Sequence, residues 1–438
     1  QDAVLACYDQ LQTQYKNMWI FSDTRGDDAS KDIINTSSAY YSDVFTMASD
    51  DPLLKSTWGN YYLLIFSANT TLEKLDKADP AIVINKVRHI AEAKFLRALA
   101  YFDLVRIFGD VPKITVPVSI PESYKIARES ADKIYDEIII PDLLAAEPSL
   151  SLKYTGADVG RATKGAAKAL LGKVYLTRKN FVNAEAKLQE VTTMGYSLLA
   201  KYNDLFDYTK DEHHSEYIFD IEYVAGGLGE GSPWTSSFFP MNLDYAKQLG
   251  IIGAGSGDAQ LNASLNLFNA FDPLDIRRAV TVDVSGGYIN TLGVFVKFTY
   301  SDKYTRKYIT AIASVNDSPA NWKVIRYADV LLMYAEALNE NGKTTQALTY
   351  LNMVRSRAGL VGYSALTQPD ARDKIYQERR FELSYEGHRW FDLVRTGLAY
   401  TVMQKYFMKP YMTVFPVPLS QIQIINNPSI FAQNPGYE

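Results

Sequence analysis

"GRATKGAAKALLGKVYLTRKNFVNAEAKLQEVTTMG", Gly160 to Gly195, has the pattern of a helical pair. Its apolar residues fall into two helical runs separated by a short break at Arg178 to Asn180. Leu171, Gly172, Tyr175, Ala184 and Leu188 stand at the offsets of a tetratricopeptide repeat, where small residues let two antiparallel helices approach closely. The same offsets recur as Tyr334, Ala335, Leu338, Ala347 and Leu351 in "RYADVLLMYAEALNENGKTTQALTYLNMVRSRAG", and the interval from Gly172 to Ala184 equals that from Ala335 to Ala347.

The second copy contains "ALNENGKTT", Ala337 to Thr345, which satisfies a loose phosphate-loop pattern. A phosphate loop follows a β-strand, so that its backbone N–H groups wrap the phosphates before a helix begins. Here Val330, Leu331, Tyr334 and Leu338 continue a helix up to the loop, so Gly342 reads as a helix end and Thr344 or Thr345 as the next cap. The repeat reading replaces the nucleotide one.

Outward from these pairs, "VRHIAEAKFLRALAYFDLVRIFG" and "RESADKIYDEIIIPDLLAAE" form a less regular pair, and "WGNYYLLIFSANTTLEKLD" gives an earlier helix. Val4, Tyr8, Leu11 and Tyr15 place Cys7, the single cysteine, on an amphipathic first helix. Between the two clear repeats lies a segment rich in Gly, Asn, Asp and aromatics, with strand-like "EYIFDIEY" and "GVFVKFTY". The expected fold is mainly α: tetratricopeptide-like pairs in a superhelical scaffold, approximately residues 1–20, 55–195 and 320–400 of a single body spanning 1–438. An irregular ligand-binding insertion of loops and short strands occupies approximately 196–319, and an extended tail 401–438.

Composition narrows the function. A net charge of −5 over 438 residues provides no basic footprint for nucleic acid. The longest apolar run, "YYLLIF", falls far short of the ~20 residues needed to span a bilayer. Four histidines offer no His-Glu-x-x-His zinc motif, no Gly-x-Ser-x-Gly elbow occurs, and "GAGSG" at Gly253 lacks the third glycine and flanking strand of a dinucleotide site. The aspartates of "SDTRGDDASKD", Ser22 to Asp32, miss the calcium-loop spacing and read as a solvated loop. No catalytic residue, metal or cofactor is expected.

"AEAKFLRALAYFDLVRIFGDVP", "GRATKGAAKALLGKVYL", "VIRYADVLLMYAEALNE", "ERRFELSYEGHRWFDLVRTG" and "FPVPLSQIQIINNPSIFAQNPGY", in that order, resemble the SusD/RagB family of cell-surface nutrient-binding proteins. The resemblance runs from the first helix to the last residues. It implies four tetratricopeptide-like pairs supporting an irregular region that carries the ligand site. It further implies non-catalytic capture of an oligosaccharide or polysaccharide and its delivery to a SusC-like TonB-dependent transporter. The implied location is the outer surface of the outer membrane, through an N-terminal lipid anchor upstream of Gln1. The alternative is capture of peptides or another nutrient by the same lid-and-transporter arrangement. Glu378, Glu382, Arg389, Asp392 and Arg395 sit among helical apolar residues and read as Arg–carboxylate ties between helices. Trp322 and Trp390 read as packing.

A sugar offers one apolar C–H face and a rim of hydroxyls, so its site needs aromatic planes edged by polar side chains. Trp234, in "GLGEGSPWTSSFFP" without helical or strand period, is the first candidate, followed by Phe238. Trp19 with Arg25 and Asp23, Trp58 beside Asn60, and the glycine-flanked Tyr288 complete the expected ligand-binding set.

Overall fold

Val4, Cys7, Leu11 and Tyr15 line the buried face of the first helix, Asp2–Tyr15, in a computed structural model that describes residues 1–30, 36–210, 213–251, 257–299 and 302–438. That helix packs with Pro52–Lys77 and Lys86–Phe108. The Asp51 carboxylate caps Pro52–Lys77 by accepting the Leu53 N–H at 2.8 Å, and Gly109, at φ +73°, ends Lys86–Phe108. Asp103 ties the three helices, accepting hydroxyl hydrogen bonds from Tyr15 at 2.8 Å and Tyr61 at 2.9 Å. Burial, only partly offset by a hydrogen bond from Thr71, pushes the Cys7 thiol up to about 12, so it is an inert core residue.

These helices belong to the first of two units into which the chain divides: Gln1–Tyr15, Phe45–Val191 and Gln404–Glu438. Its next helical run passes through a π-helical turn at Tyr135–Ile139 just ahead of Pro141, whose missing N–H and bulky ring do not fit a regular ladder. The pair read from Gly160 onward then follows as Lys164–Thr177 and Phe181–Thr192. A Cβ on Gly172 would lie 2.6 Å from Leu188 Cγ, so the close approach expected of that small residue is present. The segment expected to be an extended tail carries a short helix, Leu419–Ile425, and from Gln404 onward belongs to this unit, where Asn434 donates to the carbonyls of Phe108 at 2.9 Å and Phe415 at 2.7 Å.

The second unit holds Lys16–Val44 and Thr192–Met403. Strand Tyr217–Ile221 pairs antiparallel with Trp322–Arg326, which runs directly into helix Tyr327–Glu340. That helix packs on Thr344–Arg357 and Gln368–Leu383. Gly342, at φ +78°, makes the turn after it, and Lys343 is exposed. The phosphate-loop pattern is therefore a helix–turn–helix. Neither threonine caps the second helix; Thr344 is its first residue and donates to Asn339 Oδ1 at 2.9 Å, an acceptor one turn back that outcompetes capping. Both helix pairs are compatible with the repeat reading, and the mainly helical fold is as expected.

Buried ions fasten the irregular part of this unit to its helices. Arg277, at 0% exposure, meets Asp275 at 2.6 Å, Glu378 at 2.7 Å and Glu382 at 2.9 Å. Arg326 joins Glu216 at 2.9 Å and Glu386 at 2.6 Å, and Arg357 pairs with Glu382. Burial would raise the Glu382 carboxyl, but Arg357, Arg326 and Arg277 hold it well below the usual range. Asp392, between Arg379 and Arg395, behaves alike. Arg389 binds Asp27 at 2.7 Å and Arg395 binds Glu336 at 2.5 Å, so the charged side chains of these motifs are structural ties.

Those same arginines overturn one expectation. Asp23, Asp27 and Asp28 are buried, not solvated. Arg380 and Arg389 neutralise Asp27 and Asp28, and Asp23 accepts the Gly387 N–H at 3.1 Å while burial pushes its carboxyl up to about 8. Lys31 and Asp32 of that loop, and the GAGSG stretch up to Ser256, lie outside the described residues.

Candidate ligand-binding cavity

The helix Leu243–Gln248 begins at Asn242, whose side chain accepts the Tyr245 N–H at 2.9 Å. This cap aims Tyr245 into an aromatic run. Its ring stacks on Phe239 at 5.2 Å and on Tyr288 at 4.7 Å, and Phe298 closes the cluster. The Tyr245 and Tyr304 hydroxyls share a hydrogen bond at 3.2 Å, and burial drives the Tyr304 phenol well up, keeping it protonated. Tyr245 itself stays half-buried, because one edge of it faces a cavity of about 380 Å³.

The cavity wall is completed by Phe206, Leu249, Ile251, Ala279, Val280, Ile309 and Ala311, with Asn203, Arg306 and Thr310 as its polar groups. A volume of this size falls within the range of small-molecule sites. Every lining residue lies between Asn203 and Ala311 and belongs to the second unit. The apolar surface can cover a flat C–H face, while the amide, guanidinium and hydroxyl can exchange hydrogen bonds with a hydroxylated rim. Among the described residues, the side chains of Asn203 and Thr310 make no hydrogen bond, which leaves both open to a ligand.

The residues expected to bind ligand stand elsewhere, and their exposure needs correcting. Trp234 and Phe238 are at 0% exposure; Trp19, Trp58, Tyr288, Arg25 and Asp23 are also buried. Trp234 is not displayed by its loop but enclosed by Tyr223 at 4.9 Å, Trp322 at 5.0 Å and Tyr308 at 5.4 Å. Phe238 brings Trp19 into the same cluster, at 5.2 Å, and itself packs on Tyr308. Arg25 lies over the Trp390 ring at 5.2 Å. Trp58 packs among Tyr62, Phe108 and Phe431 in the first unit, and Asn60 there donates to Gln14 Oε1 at 3.3 Å. Each of these aromatics gains more from mutual burial than from display. Tyr288 alone touches the cavity's surroundings, through its stack on Tyr245.

Sequence reading passed over Tyr245, Phe206, Asn203, Arg306 and Thr310. One usable signal was present: "MNLDYAKQ" carries an Asn cap three residues before a tyrosine.

Comparison with known proteins places this architecture. The family model described as the SusD family matches residues 284–437, and one described as starch-binding and associating with the outer membrane matches residues 3–176. The SusD-like protein P25 of Formosa agariphila is 30% identical over 430 residues, covering 88% of this chain and 80% of that one. The chain belongs to the SusD family. A solved laminarin-binding SusD-like protein shares its fold at a TM-score of 0.81 and 29% identity, covering 99% of both chains. The surface glycan-binding protein A of Bacteroides thetaiotaomicron, solved with laminarihexaose, superposes at 0.84 over 99% of this chain and 98% of that one, with 21% identity. As a SusD family member, the chain combines the family's two matched regions with a cavity built outside both for most of its wall.

Proposed function

We propose that this protein captures an oligosaccharide in the Tyr245 cavity without cleaving it, and delivers it at the outer membrane to a SusC-like TonB-dependent transporter. The carrying observation is the half-buried Tyr245 ring at a cavity where, among the described residues, the Asn203 amide and the Thr310 hydroxyl make no hydrogen bond. An apolar wall with idle polar groups beside it can cover the C–H face of a sugar ring and meet its hydroxyl rim. The laminarin-binding title of a 29% identical structure and the starch-binding description of a matched family supply the ligand class. In this reading the segments 1–20, 55–195 and 320–400 are the support, 196–319 is the ligand-binding insertion, and a lipid anchor holds the protein at the cell surface. Cleavage of a glycoside calls for two carboxylates facing the bond. The described cavity wall offers aromatic, amide, hydroxyl and guanidinium groups, which hold a ligand and leave its bonds alone.

The test is an oligosaccharide array run beside a peptide library, with reducing ends assayed for each binder. Saccharide binding without release of reducing ends supports the reading. Binding confined to peptides, or release of reducing ends, overturns it.

A further inference from the structure

Resting on that reading of the cavity, the geometry points to an acidic saccharide as its ligand, one whose carboxylate or sulfate ester is held by Arg306. Arg306 is the one charged residue among the described residues that line the cavity. Its backbone is pinned on both sides: the N–H donates to Val280 O at 3.1 Å and the carbonyl accepts the Ile309 N–H at 3.2 Å. The neighbouring Lys307 turns inward to Glu386 at 2.7 Å, so the backbone that buries one cation presents the other outward.

The guanidinium, with its side chain 55% exposed, has one loose ionic contact among the described residues, Nη1 to Asp283 Oδ2 at 3.8 Å. Asp283 Oδ1 meanwhile accepts the Ser285 N–H at 2.8 Å. Nε and Nη2 remain for a ligand, and their planar fork matches the two oxygens of a carboxylate or sulfate. Behind the cavity wall, the Lys307 and Lys323 ammonium groups lie 5.1 Å and 5.8 Å from the centre of the Phe206 ring. Both have carboxylate partners, Glu386 at 2.7 Å and Asp220 at 3.6 Å, so Arg306 carries the discrimination.

Calorimetric titration tests this with two matched pairs: hexagalacturonic acid against its methyl ester, and a sulfated galactan oligosaccharide against its desulfated form. A preference of about tenfold for the acidic member of at least one pair is expected, as for a charge-assisted hydrogen bond. Which pair shows it distinguishes carboxylate from sulfate. Arg306→Gln, with its melting temperature unchanged, is expected to erase that preference, so that the acidic and neutral members of the pair bind the variant equally. Raising the salt concentration is expected to shrink it in the wild type. Neutral saccharides that bind as well as acidic ones, or a preference that survives Arg306→Gln, overturn the inference and leave the cavity reading intact. Failure of every saccharide to bind, on the array as well as here, overturns both.

Discussion

The two units keep their elements together in different ways. In the first, long helices satisfy their own backbones and meet through apolar faces, and buried polar ties occur as local groups: Asp103 with two tyrosines, Arg97 with Asp142 at 2.7 Å, Arg161 with Glu92 at 2.8 Å. In the second, a connected cluster runs from Asp275 through Arg277, Glu382, Arg326 and Glu386 to Lys307. The reason lies in the backbone. Irregular chain leaves carbonyls without ladder partners, and buried carbonyls must find donors. Lys307 donates to the Ser384 carbonyl at 2.7 Å, Tyr202 to Glu382 O at 2.9 Å, Tyr308 to Tyr385 O at 3.0 Å and Tyr385 to Asp28 O at 2.6 Å. Long polar side chains therefore do for the second unit what helical hydrogen bonds do for the first.

This contrast breaks most sharply at Glu382. Removing it by Glu382→Ala leaves Arg277, Arg326 and Arg357 short of a buried counter-charge, and the expected loss is about 3–5 kcal/mol in denaturant unfolding. A loss below about 1 kcal/mol would mean that the cluster is solvated and not a fastening. In the first unit, Gly172→Leu drives bulk into Leu188 and is expected to cost about 1–3 kcal/mol by the same measurement. Equal stability of that variant would show that the two helices do not approach as closely as described.

The smallest effect sharpens the comparison through pH. Burial would raise the Glu386 carboxyl, but Arg326 and Lys307 lower it from 4.5 to about 2. A depressed acid adds stability above its unfolded value, and that stability is lost as pH falls from 4.5 through about 2. The melting temperature is expected to fall across this window, and less steeply in Glu386→Gln. Parallel slopes would remove Glu386 from the acid response.

How much of this could be read in advance follows the same division. Helices announce themselves locally: Gly172 with Leu188 and the Val4–Tyr15 face are set by neighbours within a few turns, and both were expected from spacing alone. The ionic role of Glu378, Glu382 and Arg395 was also readable, because their apolar neighbours have helical period. Trp234 was misjudged as displayed because what buries it, Tyr308 and Trp322, is distant in sequence, and the intervening loops have no period. The cavity was hidden for the same reason. Its wall joins Asn203, Tyr245, Val280 and Arg306, which only the folded backbone brings together.

In the proposed site Tyr245 faces the ligand, while Trp234 belongs to the core. Calorimetric titration of Tyr245→Ala and Trp234→Ala with the saccharides found on the array, melting temperatures recorded alongside, tests this division most directly. Tyr245→Ala is expected to remain folded and to lose about 2 kcal/mol of binding, or roughly thirtyfold. Trp234→Ala is expected to lose about 3–5 kcal/mol of stability, and any molecules still folded should bind near normally. Full affinity in a folded Tyr245→Ala protein, together with a stable Trp234→Ala protein that no longer binds, would reverse these two roles.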